Sequence, residues 1–232
     1  MQKTWSNILN LFYPRLCLIC EKPLVDEEQE LCLHCLCELP RLNYRQQPDS
    51  PLLKLYAGIP QMQNATGFLQ YEKSGYVQSL VHSFKYHNNK KLAKYLGRIA
   101  SLDLQTTDFF NRTDLLIPVP LHPKRERMRG YNQSAWIAQG IASVYNKPII
   151  SNVLFRKTKS TTQTNKSRYE RHMNVEKIFS LHNDIEALEH KHILLIDDVI
   201  TTGATSLACI EALTVVPNIK ISVFALSVVE IR

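Results

Sequence analysis

The chain has 232 residues, 44% hydrophobic and 21% charged, with only 7 Gly and 11 Pro. That composition excludes collagen-like and low-complexity classes and suits a domain able to bury a core, while no apolar run approaches the roughly 18–20 residues a membrane span needs. The formal net charge is +7, yet residues 124–172 alone hold eleven basic and two acidic side chains, leaving the remainder slightly acidic; such a concentrated field points to a polyanion, either a phosphorylated small molecule or nucleic acid.

The first predicted element is an amphipathic helix through Trp5, Ile8, Leu9, Leu11 and Phe12, ended by Pro14. One Lys and a short apolar stretch make a poor secretory signal, so the expected location is the cytosol. Cys17-Leu-Ile-Cys20 and Cys32-Leu-His-Cys35 then form two CxxC knuckles separated by eleven residues. Each knuckle turns two sulfurs toward one point, and two knuckles make a tetrahedral thiolate cage suited to zinc. Four protein ligands leave no open position, so the expected metal is structural. Cys37 and His34 stand as alternate ligands. Residues 1–40 are thus expected to form a helix and zinc ribbon.

Residues 41–64 are rich in Pro, Gln and Asn and read as a linker. A strand is predicted at 65–71. Helical spacing follows through Tyr76, Leu80, Val81 and Phe84, and again through Leu92, Tyr95, Leu96 and Ile99, with a break at His87-Asn88-Asn89. Leu115 to Val119 reads as a buried strand, Ser134 to Tyr145 as a helix, and Ile149 to Phe155 as a further strand. A strand at 192–196, a helix at 204–215 with Cys209 in its core face, and a strand at 221–229 complete the pattern. Strands alternating with helices over 65–232 imply an α/β domain with a mostly parallel sheet.

The most informative stretch is Ile193-Leu194-Leu195-Ile196-Asp197-Asp198-Val199-Ile200-Thr201-Thr202-Gly203-Ala204-Thr205. It reads as a buried strand, two carboxylates at its carboxyl end, a hydroxyl-rich turn and a helix. Ligands of open α/β sheets bind at strand carboxyl ends. A helix N-terminus offers unpaired N–H groups to a phosphate, and Gly203 permits close backbone approach. Asp197 and Asp198 accept only, which suits sugar hydroxyls or a divalent cation. Together these describe a pocket for a ribose 5-phosphate.

This stretch resembles the phosphoribosyl-pyrophosphate (PRPP) signature of type I phosphoribosyltransferases. Further segments resemble the ComF family, associated with natural competence: the four-cysteine ribbon followed by Leu39-Pro40; Pro118-Val119-Pro120-Leu121-His122-Pro123-Lys124-Arg125; Arg129-Gly130-Tyr131-Asn132-Gln133-Ser134; and Arg156-Lys157-Thr158 leading to Gln163-Thr164, Arg168, Arg171, Asn174-Val175 and Phe179. The resemblance implies the type I phosphoribosyltransferase fold behind a zinc ribbon, and it implies roles. Asp197 and Asp198 would hold the ribose hydroxyls, directly or through Mg²⁺. Thr201, Thr202, Gly203, Ala204 and Thr205 would cradle the 5-phosphate. Lys124 and Arg125 would neutralise the pyrophosphate, and residues 156–172 would be a mobile basic flap. Phe84-Lys85-Tyr86-His87 places Lys85 either near that site or on a helix surface.

The resemblance therefore implies a Mg-PRPP-binding protein, a phosphoribosyltransferase of unnamed acceptor, acting in DNA uptake and transformation. Two other readings use the same fold: a non-catalytic module binding single-stranded DNA along the basic strip, with Tyr131, Trp136 and Tyr169 stacking on bases, and a bridge to a competence helicase or other DNA-processing protein. No membrane partner is expected.

Overall fold

The computed structural model describes residues 13–42, 50–156, 178–182 and 185–230. The expected N-terminal helix through Phe12 and the basic flap beyond Arg156 lie outside the described residues. After a short helix α1 (Leu33–Cys37) come α2 (Pro51–Lys54), β1 (Met62–Tyr71), α3 (Tyr76–Tyr86) and α4 (Lys90–Asp103). Next are β2 (Leu115–Pro118), α5 (Pro123–Arg129), α6 (Gln133–Tyr145), β3 (Leu154–Arg156) and β4 (Phe179–Leu181). The chain closes with β5 (His192–Ile200), α7 (Ala204–Leu213) and β6 (Lys220–Val229). Among the described residues no helix is long and apolar enough to cross a membrane.

Four strands form a parallel sheet in the order β1-β6-β5-β2. A sheet of parallel strands is covered on both faces, and the central strands show why. Side chains alternate across the pleat. Leu194 and Ile196 of β5 and Phe224 and Leu226 of β6 join one core beneath α3, α4 and α6. Their neighbours Ile193, Leu195, Val223 and Ala225 join a second core with Ile210 and Leu213 of α7. Continuous apolar runs such as Ile193–Ile196 are therefore the residues this position demands. The mostly parallel sheet flanked by helices is the class expected.

Helix ends are fixed by side chains in the first turn. Asn89 Oδ1 accepts from the Leu92 amide at 3.0 Å and Asn132 Oδ1 from the Ser134 amide at 3.0 Å. Helices α4 and α6 cross where Gly97 meets Gly140. A methyl group on Gly97 would strike the Ile137 carbonyl, and one on Gly140 the Lys94 carbonyl. Only hydrogen at both positions lets these two backbones touch.

Three local expectations differ from the structure. Residues 41–64 are not free of packed structure: Leu52 and Tyr56 are buried in the second core, and Ser50 caps α2 through the Leu53 amide at 3.1 Å. The apolar spacing there is too short for a helix pattern to register. The strand expected over 149–155 is split. Ile149 makes a single parallel bridge to Leu116, and β3 pairs instead with β4 in a separate antiparallel ribbon. Finally, β5 does not stop at Ile196. It continues through Ile200, paired with β6 as far as Val228, because Val199 and Ile200 extend the β-branched run.

Candidate functional site

The four sulfurs of Cys17, Cys20, Cys32 and Cys35 all lie within 4.8 Å of one another. Two amides point at them: Cys32 N–H to Cys17 Sγ at 3.4 Å and Cys35 N–H to Cys32 Sγ at 3.5 Å. Burial opposes ionisation of Cys17, yet the amides of Cys20, Cys32 and Ile19 bring its thiol down to about 6. Burial and the neighbouring sulfurs push Cys35 up. Four cysteine sulfurs this close could hold a metal ion, and a soft all-sulfur donor set suits one such as zinc. The alternates fall away: the metal-competent group excludes both His34 and Cys37, and Cys37 is exposed.

The ribbon is fastened to the domain. Cys17, Leu31, Cys35 and Leu39 are part of the first core. The Arg41 guanidinium donates to the Leu36 and Cys37 carbonyls at 3.0 and 3.1 Å and pairs with Asp103 at the end of α4 at 3.2 Å.

At the carboxyl end of the sheet, β5 carries Asp197 and Asp198, each 8% exposed. Because the strand runs on past them, the pleat sends these neighbours to opposite faces. Asp198 turns toward α3, where Lys85 Nζ lies 3.0 Å from Oδ2. That oxygen is buried and makes no aligned hydrogen bond, so Lys85 is its charge partner. Asp197 lies on the α7 face and accepts the Asp198 amide at 2.8 Å. Burial first, and the Asp198 charge second, push the Asp197 carboxyl up to about 7; the amide and Lys85 act against them.

Lys85 is held in place by its neighbours. The Tyr131 hydroxyl donates to the Phe84 carbonyl. Burial pushes that phenol up to about 12, which keeps its proton on. Arg129 bonds Gln133 Oε1 at 2.9 Å and sits over the Tyr86 ring. Asn132 Nδ2 donates to the Val119 carbonyl at 3.0 Å. The Arg129–Asn132 turn thus ties α3, the segment after β2 and the start of α6 together.

The turn after β5 is open. Thr201, Thr202, Ala204 and Thr205 are exposed and Gly203 is buried in the left-handed region at φ +76°. Among the described residues no hydrogen bond engages the amides of Thr201, Thr202, Gly203, Thr205 or Ser206, and Ala204 reaches only Thr202 Oγ1 at 3.5 Å. A Cβ at Gly203 would meet Leu55 Cδ1 at 2.9 Å. Beneath the turn, Tyr56 and Ser206 share a hydroxyl–hydroxyl bond of 2.7 Å, and Ser206 donates to the Gly203 carbonyl at 2.9 Å. Tyr56 and Ser206 were not marked by the sequence. Tyr56 sits in the Pro- and Gln-rich segment, and its placement depends on a contact 150 residues away.

Lys124 and Arg125 stand exposed on α5, a helix that sequence periodicity did not suggest and that buries no side chain. It begins at Pro123 behind His122, whose Nδ1 accepts the Lys124 amide at 3.2 Å.

Two measurements follow from this geometry. Elemental analysis is expected to return one zinc per chain, falling below about one-tenth in Cys35→Ser because a structural cage rarely survives loss of a ligand; full zinc in that variant contradicts the assignment. Asp197 has a folded pKa above its unfolded one. Its contribution to stability is present below about pH 4 and is lost as pH rises through about 7. Asp198, Lys85, Tyr56 and Cys209 are the titratable groups acting on it or acted on by it. Asp197→Asn is expected to raise the Tm at pH 8 by about 3 °C, the size of roughly 1 kcal/mol in a chain of this length, with little change at pH 4. An equal shift at both pH values contradicts the buried-charge account.

No family model matches the chain. It is 32% identical over 129 residues to Competence protein F of Haemophilus influenzae, covering 54% of this chain and 56% of that relative, so the match spans about half of it. It is 26% identical over 210 residues to DNA utilization protein YhgH of Salmonella typhimurium, covering 84% and 88%. Competence protein ComFC of Bacillus subtilis is 35% identical over 91 residues, 39% of this chain and 34% of that one. Similar solved structures include the allosteric regulatory enzyme of purine biosynthesis, at 16% identity and TM-score 0.41 over 62% of this chain and 30% of that one. A hypoxanthine phosphoribosyltransferase from Staphylococcus aureus matches at 14% and 0.34, over 60% and 74%. Competence protein F, Competence protein ComFC and DNA utilization protein YhgH are thus what this chain is similar to, the first two over about half of it or less.

Proposed function

We propose that this chain is a ComF-type competence protein that binds PRPP, carried as its magnesium complex, at the carboxyl end of the sheet and transfers the phosphoribosyl group during DNA uptake and transformation. The observation that carries this reading is the open turn at Thr201–Ser206 beside a buried carboxylate pair. Unpaired amides at a helix N-terminus favour a phosphate, and carboxylates accept from the hydroxyls of a ribose. On this reading the turn takes the 5-phosphate and Asp198, on the α3 face, takes the ribose, while Asp197 on the α7 face holds the strand end through the Asp198 amide. Opening the Lys85–Asp198 pair supplies an acceptor and a cation at once, the ammonium then facing the leaving pyrophosphate. Lys124 and Arg125 add charge from α5.

In the transfer, the bond between ribose C1 and the pyrophosphate oxygen breaks and that oxygen keeps the electron pair. The acceptor's nucleophile forms the new bond to C1. Cations fixed near the leaving group stabilise its growing charge, and no nucleophilic side chain of this chain is needed. The relatives' names, which speak of competence and DNA utilization, support the cellular setting.

A second reading rests on α5. A helix with Lys124, Arg125 and Arg127 exposed and nothing buried has the charge to follow a single-stranded DNA backbone. One set of titrations separates the two. By calorimetry, wild-type protein is expected to bind PRPP saturably with Mg²⁺, and Asp197→Asn with Asp198→Asn to lose at least tenfold, the scale of about 1.4 kcal/mol. Lys124→Gln with Arg125→Gln is expected to weaken PRPP more than ribose 5-phosphate, since only the former carries pyrophosphate. Equal PRPP affinity in wild type and the aspartate variant contradicts the leading reading. Oligonucleotide binding with a salt slope reduced only in the α5 variant, and no PRPP binding, favours the second.

A further inference from the structure

The opposite end of the sheet holds a cavity of about 480 Å³ that the sugar-phosphate reading does not use. Its walls come from the first residues of β5 and β6 and from the segment before β2. His192 and Lys220 are register partners on adjacent strands. At the floor, the Ser222 hydroxyl, on a residue 1% exposed, lies 2.8 Å from His192 Nε2. Phe109, 8% exposed, gives an apolar wall, and Arg112 stands at the rim.

The charge balance of this cavity is positive. The one carboxylate among its described lining residues, Asp114, is engaged by the His192 amide at 2.7 Å, while the Asp114 amide donates to the His192 carbonyl at 2.7 Å. Arg112 pairs with Asp108 at 3.2 Å, but both side chains are about 70% exposed, where such a pair is weak and readily exchanged. Lys220 has no ion pair among the described residues. Burial holds the His192 imidazole below its ordinary value, against the Arg112 carbonyl and Asp114, and the charges of Lys220 and Arg112 add to that depression. Two cations therefore already act on the hydroxyl–imidazole floor.

We infer that this cavity is a second binding site, for a small phosphomonoester whose dianion lies between Lys220 and Arg112 above the Ser222–His192 pair. The volume falls within the usual range for small-molecule sites, roughly 300–1,000 Å³. Phe109 offers a face to the apolar or planar part of such a ligand. The site is at the far end of the strands from Asp197, so it stands or falls apart from the PRPP reading.

The test is an NMR titration of the full chain with inorganic phosphate, following the His192 imidazole signals. Saturable shifts are expected in wild type and equally in Asp198→Asn. The affinity is expected to fall at least tenfold in the double variant Lys220→Gln, Arg112→Gln, both positions being exposed and so compatible with the fold; its Tm is the check. Shifts that stay linear with phosphate, that are unchanged in the double variant, or that vanish in Asp198→Asn would overturn the inference. So would shifts produced by a single-stranded oligonucleotide and not by phosphate, which would make the cavity part of a nucleic-acid surface.

Discussion

Two adjacent carboxylates inside a folded domain must be compensated, because water no longer screens their charge. The end of β5 meets that demand in two ways. Asp198 receives a cation from α3, and Asp197 accepts a backbone amide and is shifted toward its neutral form. The surroundings follow from this. Tyr131 anchors the Phe84 carbonyl, so the residue after it is held over Asp198. Asn132 holds the Val119 carbonyl, so the segment after β2 stays beside β5. Replacing the pair by apolar residues would relieve the burden, which makes its presence more telling about ligand binding than about stability.

The same economy of buried polar groups is absent from the turn that follows. Among the described residues the amides of Thr201, Thr202, Gly203, Thr205 and Ser206 have no hydrogen-bond partner, while the hydroxyls of Tyr56 and Ser206 beneath the turn are engaged. A rigid underside and an unsatisfied upper face suit an anion that completes the hydrogen bonding. The ribbon contributes at a distance. By joining the first core and gripping α4 through Arg41 and Asp103, it braces the layer that carries Lys85.

Much of this was legible because the relevant signals are local. Two CxxC knuckles need only their spacing to name a metal cage. An apolar run ending in two Asp and a Thr-Thr-Gly turn needs only its own residues to describe a strand, an acceptor pair and a helix start. What was not legible depends on pairing between distant segments. The continuation of β5 to Ile200 is set by β6, and with it the opposite facing of Asp197 and Asp198. Tyr56 stands in a segment of linker-like composition and acquires its role from Ser206. Lys85 was as compatible with a helix surface as with the site, and only the packing of α3 into the first core decides where its ammonium lies. Helix α5 has no apolar face, so periodicity could not reveal it.

The central claim is that the unpaired amides around Gly203 are a seat for the phosphate of a phosphoribosyl ligand. Backbone amide shifts recorded while ribose 5-phosphate is added test it most directly. The account predicts that the largest saturable changes fall on Thr202, Gly203, Thr205 and Ser206, with smaller ones at Asp197 and Asp198. Saturable changes centred elsewhere, with those six amides unmoved, would contradict it.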